Sequence, residues 1–199
     1  SEIEGTQATM IDSLRADIER TSDLPKDVDR ILQYIKAMNY GLKRLETLPL
    51  SLRLIKEIHK KMLDNTPDAH GKTPGEFRTT QNWIGGRTIQ TAKFVPPPAK
   101  LLDESLSDLE SFMHSKDGLS PLTKTALIHT QFETLHPFLD GNGRAGRLLI
   151  TFYLCHQGVL EHPVLYLSEY FKKHRELYFD LIHNYHSRGE VVEWLDFFF

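Results

Sequence analysis

An all-α domain of about eight helices with one β-hairpin is the fold class that the sequence predicts, and three observations predict it. Apolar residues recur at helical spacing through most of the 199 residues. One stretch, 66 to 97, is instead rich in Gly, Pro and Thr. No internal repeat, low-complexity tract or linker divides the chain, and its length suits one domain with a real core.

The elements follow in order. "IDSLRADIERTSD" places apolar residues at 11, 14 and 18, and "DVDRILQYIKAMNYGLKRLETL" sets Val28, Ile31, Leu32, Ile35 and Met38 on one stripe. "SLRLIKEIHKKMLDN" has Ser51 as a cap and Leu52, Ile55, Ile58 and Met62 inward. "TTQNWIGGRTIQTAKFV" reads as two short strands around Gly85-Gly86. Helices follow in "AKLLDESLSDLESFMHS" and in "SPLTKTALIHTQFETLH", the latter with Pro121 at its start. "AGRLLITFYLCHQG" is strongly apolar, hence central, and ends at Gly158. "SEYFKKHRELYFDLIHNYHSRG" and "EVVEWLDFFF" complete the set.

The chain is 40% hydrophobic and 26% charged, the balance of a soluble globular protein. A net charge of −3 gives no general pull toward nucleic acid or anionic membrane, so neither is an expected partner of this domain. No stretch approaches the roughly 20 apolar residues of a membrane span. Cys155 is the sole cysteine and sits in an apolar run, which points to a buried structural thiol and a reducing, cytoplasmic compartment.

The chemistry concentrates in "HPFLDGNGRAGR", residues 136 to 147, a loop between two apolar helices. Gly141-Asn142-Gly143 permits positive φ and lets successive N–H groups converge on an anion. The next helix begins there, and its N-terminus also favours negative charge. Arg144 and Arg147 lie one turn apart near that end, where cations are unfavourable toward the helix dipole unless an anion is present. The set describes a polyphosphate cradle. Asp140 beside phosphate reads as a Mg²⁺ ligand. His136 can take a proton from an attacking hydroxyl. Neither GxxxxGK[ST] nor a GxGxxG after a strand is present.

"HPFLDGNGRAGR" resembles the signature of the Fic (filamentation induced by cyclic AMP) family, HxFx[DE]GNGRxxR, at every specified position. The hairpin "RTTQNWIGGRTIQTAKFVPPP" is similar to the family's target-docking flap, "HRELYFDL" and "WLDFFF" to its later helices, and "SEIEGT" to the N-terminal inhibitory motif [ST]xxxE[GN]. The first position of that motif falls one residue before Ser1. The resemblance implies a Fic-type helical domain over 25–199, with the flap at about 78–96 and the catalytic loop at 136–147, preceded by an inhibitory segment at 1–24. Relatives with this N-terminal motif often continue into a winged-helix region.

The resemblance also implies transfer of AMP from ATP to a Ser, Thr or Tyr hydroxyl of a target protein, with release of pyrophosphate. His136 would be the general base and Asp140 the Mg²⁺ ligand. Gly141, Asn142 and Gly143 would line the anion hole, while Arg144 and Arg147 bind the β- and γ-phosphates. Phe138 would pack the loop to the core. Tyr178 falls where relatives place an aromatic near the adenine, with a core tyrosine as the alternative. Glu4 would pair with Arg147 and block the productive γ-phosphate pose. The target would dock on the flap by strand addition. Self-modification and homodimerisation accompany this class of relative. Removal of AMP and transfer of UMP or phosphocholine stay open, whereas a non-catalytic binding module is disfavoured by the intact His136 and Asp140.

Elsewhere, His183 and His186 have a spacing metals use, but no third ligand lies near in sequence. His59, His114 and His174 read as solvated helix faces, as does "FKKHR" at 171 to 175.

Overall fold

The computed structural model describes residues 26–64, 66–161, 163 and 167–199; Glu4 and the helix expected over 11–23 lie outside them. Eight α-helices and no strand are present among the described residues.

Helix α1 (Lys26–Leu45) buries Ala37 and rests Tyr34, Met38, Leu42 and Leu45 on the core. Helix α2 (Leu52–Leu63) starts where the Ser51 hydroxyl accepts the Leu54 N–H at 3.3 Å, satisfying one of the orphan amides of a helix start. It buries Leu54, Ile55, Ile58, His59, Met62 and Leu63. Helix α3 (Leu102–His114) follows a short 3₁₀ turn, Ala99–Leu101.

Helices α4 (Pro121–Leu135) and α5 (Asn142–His156) form the centre. Both carry apolar residues on more than one face, which a helix can do only when enclosed. One face of the pair, with Ile128, Phe132, Leu148 and Phe152, joins the cluster covered by α1, α2 and α3. The other face, with Ala126, Ile150 and Leu154, joins a second cluster with Phe171, Tyr178, Ile182 and Trp194. The Trp194 indole N–H donates to the Ala126 carbonyl at 3.0 Å and ties helix α8 (Val191–Phe198) to α4. Cys155 is half-buried near the end of α5 rather than enclosed, and burial pushes its thiol pKa up.

Two expectations change. Residues 168–189, read as one helix, divide at His174 (φ −112°, ψ 31°) into α6 (Leu167–Lys173) and α7 (Arg175–Arg188). Phe171 and Tyr178 are seven residues apart, about 10 Å along a straight helix. The bend brings their ring centroids to 4.7 Å.

The two-stranded hairpin reduces to a single antiparallel bridge between Ile84 and Phe94. The Thr91 hydroxyl accepts the N–H groups of Arg87 (3.2 Å) and Thr88 (3.1 Å), and the chain closes as a 3₁₀ turn, Ile89–Thr91. Local side-chain bonding has replaced ladder pairing there. No described helix is long and apolar enough to cross a membrane.

Candidate active site

His136 closes α4 in the left-handed region (φ 46°, ψ 58°), the only described non-glycine residue with positive φ. Such a conformation costs an L-residue about 1–2 kcal/mol and persists only where neighbours determine it. The His136 N–H donates to Phe132 O at 3.1 Å. Its carbonyl accepts from Arg78 Nε at 2.9 Å and from Asn82 Nδ2 at 3.3 Å. Its Nδ1 lies 3.4 Å from the Glu133 carbonyl.

Phe138 is fully buried, as expected, and its ring lies flat on His59, with centroids 3.6 Å apart. Asn142 binds the backbone of the same residue. Its Oδ1 accepts the Phe138 N–H and its Nδ2 donates to the Phe138 carbonyl, both at 2.8 Å. The Asn142 side chain therefore shapes the loop, and any share it takes in an anion hole belongs to its backbone. Gly141 caps α5 at φ 77°, where a Cβ would also stand 3.0 Å from Met62 Cε.

His59, read from sequence as solvated, is buried and central to the loop. Its Nδ1 accepts the Gly75 N–H at 2.9 Å, so Nε2 must carry the proton that goes to the Asp140 carbonyl, also at 2.9 Å. A ring used in this way must be neutral. Burial pushes its pKa down to about 4, and the nearby Arg144 charge acts in the same direction against the hydrogen bond to Asp140. The signal was available in the sequence, since Ile55, His59 and Met62 share one helical stripe.

Arg144 and Arg147 are 4% and 3% exposed, one turn apart in the first turns of α5. Arg144 Nη2 lies 2.9 Å from Asp68 Oδ2, and Arg30 takes the same carboxylate through Nη2 at 2.7 Å and Nε at 3.0 Å. Burial raises the Asp68 pKa, but the hydrogen bond from Arg30 and the charges of Arg144 and Arg30 outweigh it and hold the carboxyl below its ordinary value. The Asp140 side chain is 41% exposed, its Oδ1 accepts the Gly141 N–H at 2.6 Å, and Arg144 Nη2 is 3.8 Å away. The motif thus brings together an oriented imidazole, a half-exposed carboxylate, two guanidinium groups and the amide end of α5.

The sequence profile of the Fic/DOC family matches residues 49–154, and that of the Fic/DOC family N-terminal region matches 1–43. The chain belongs to the Fic/DOC family. It is 33% identical over 135 residues to the protein adenylyltransferase Fic of Aedes aegypti, covering 67% of this chain and 24% of that protein. The chain thus spans about a quarter of the length of the curated relatives it matches. A Fic family protein from Desulfovibrio desulfuricans superposes with a TM-score of 0.77 at 21% identity, over 98% of this chain and 57% of that one. The BepC protein of Bartonella tribocorum, solved with bound AMPPNP, superposes with a TM-score of 0.57 at 17% identity, over 85% of this chain and 84% of that one.

Within this Fic/DOC domain, Tyr178 is 3% exposed and its hydroxyl lies 2.8 Å from His129 Nε2. Arg78, Asn82 and Asp68, none of them singled out in the sequence, hold the motif residues in place. Their signal is weak, because a charged or amide side chain in a polar loop gives no periodicity to read. His183 and His186 join no metal-binding group among the described residues.

Proposed function

We propose that this domain transfers AMP from ATP to a hydroxyl of a protein, and that the carrying observation is His136 held left-handed beside the N-terminus of α5 and its two buried arginines. The names of the relatives and the nucleotide bound to BepC support the same reading.

His136 Nδ1 directs its proton at the Glu133 carbonyl, which leaves Nε2 as the basic nitrogen. Nε2 takes the proton of a Ser, Thr or Tyr hydroxyl as its oxygen bonds to the α-phosphorus. The bond from α-phosphorus to the bridging oxygen breaks, and pyrophosphate leaves with that electron pair. Arg144, Arg147 and the backbone of Gly141, Asn142 and Gly143 hold the phosphates against developing charge, so positioning and electrostatics carry the rate. Phe138 keeps the loop seated on the core.

Asp140 offers one half-exposed carboxylate. That suits Mg²⁺, which takes one or two carboxylates and completes its shell with water and phosphate oxygens. When bound, the ion neutralises polyphosphate charge. Glu4 acts as a brake by pairing with Arg147, and the flap presents the target segment.

The test is pyrophosphate release and the AMP mass increment on the chain itself or on an acceptor protein, compared between parent and Glu4→Gly. The expected result is a quiet parent and an active variant. Equal activity in both would remove the brake. ATP binding without pyrophosphate release in either would remove the transfer reading.

A further inference from the structure

Arg78 is 3% exposed, and among the described residues every hydrogen bond its side chain makes goes to a backbone carbonyl. Nε donates to His136 O at 2.9 Å, and Nη1 to Thr80 O at 3.1 Å. Nη2 donates to Pro97 O at 2.7 Å and to Leu135 O at 3.1 Å. Its backbone N–H donates to Pro137 O at 2.8 Å. A buried cation is costly unless its donors are satisfied, and here carbonyl dipoles take four of the five guanidinium N–H groups, with every nitrogen bonded. Burial pushes the guanidinium pKa down.

These carbonyls come from three places: the entry of the flap at Thr80, its exit at Pro97, and the end of α4 at Leu135 and His136. We propose that Arg78 is a positioning residue for the transfer reaction, fixing the root of the flap to the carbonyl of His136 so that a segment docked on the flap meets the imidazole in register. Asn82 adds to the clamp through Nδ2 bonds to His136 O at 3.3 Å and Phe138 O at 3.1 Å. The left-handed turn at His136 is what aims its carbonyl at both donors. A lysine cannot replace this fork, because its three donors radiate from one atom. The inference rests on the transferase reading. It separates two tasks: His59, Asn142 and Phe138 seat the phosphate loop on the core, while Arg78 ties the flap to the start of that loop at His136.

The experiment uses the full chain carrying Glu4→Gly, with Arg78→Lys and Arg78→Ala added singly. It measures kcat for AMP transfer, the ATP dissociation constant by calorimetry, and amide hydrogen exchange over 79–96. Arg78→Lys keeps the buried charge and serves if Arg78→Ala does not fold. A misplacement of about 1 Å between acceptor and base costs about 100-fold, so kcat is expected to fall by that order with ATP affinity unchanged. Exchange over 79–96 is expected to accelerate while α2 and α5 stay protected.

A kcat within about threefold of the parent, a uniform loss falling below the size of a positioning effect, would overturn the proposal. So would ATP affinity falling in step with kcat, since Arg78 would then only support the phosphate loop. If the parent binds ATP but transfers nothing, the transferase reading fails and exchange alone decides. Faster exchange over 79–96 in Arg78→Lys upholds the clamp, and unchanged exchange removes it.

Discussion

His59 serves the site by staying neutral, since one ring nitrogen must accept from Gly75 and the other must donate to Asp140. Its pKa is lowered in the folded state, from 6.5 to about 4, and burial takes that of His129 to about 3. The unfolded chain therefore binds protons that the folded chain refuses. The stability this represents is present above about pH 6.5 and is lost as pH falls toward 4. For His59 alone the loss amounts to about 3 kcal/mol across that window. The paired carboxylate of Glu57, held near 2 chiefly by Arg44, adds its loss only at lower pH. Urea denaturation at a series of pH values checks this, and His59→Gln is expected to flatten the slope between pH 6.5 and 4. Asn142→Ala should free the Phe138 backbone and depress AMP transfer while leaving far-UV helicity unchanged, as kinetics and circular dichroism on one preparation would establish. The motif itself was legible because its residue types are chemically distinctive and closely spaced. Arg78 and Asp68 were not, because burial of a charge depends on partners far away in sequence.

At the scale of elements, α4 and α5 approach closely at Gly146. A Cβ there would collide with Glu133 Oε1 and stand 3.3 Å from His129 Cε1, whose ring also bonds the Gly146 carbonyl. Gly146→Ala is accordingly expected to destabilise the domain by about 1–3 kcal/mol, the usual cost of overpacking, despite the better helix propensity of alanine. A lowered melting temperature, with the remaining transfer activity still dependent on His136, would be the signature. Helix positions were readable from apolar spacing and from the Ser51 cap, whose hydroxyl accepts a backbone N–H. Spacing does not register one residue leaving helical geometry, so the break at His174 stayed hidden. The flap looked like a ladder because Thr and Ile favour strands, yet the Thr91 hydroxyl captured the amides that a ladder would have used.

For the whole molecule, the central pair is a wall between two apolar clusters, one supporting the loop through Phe138 and the other anchored by Trp194. Trp194→Ala should cost about 3–5 kcal/mol of stability, as large aromatic truncations do, while leaving ATP affinity at low temperature near that of the parent. The site draws on α2, the flap, the end of α4 and the start of α5, so it exists only once the first cluster has formed. The most direct test is to incubate the Glu4→Gly chain, with and without His136→Ala, with Mg²⁺ and ATP labelled in parallel at the α- or the γ-phosphate. Protein-bound label is expected from the α position only, lost with His136→Ala while ATP still binds. Label arriving from the γ position, or α label persisting without His136, would contradict it.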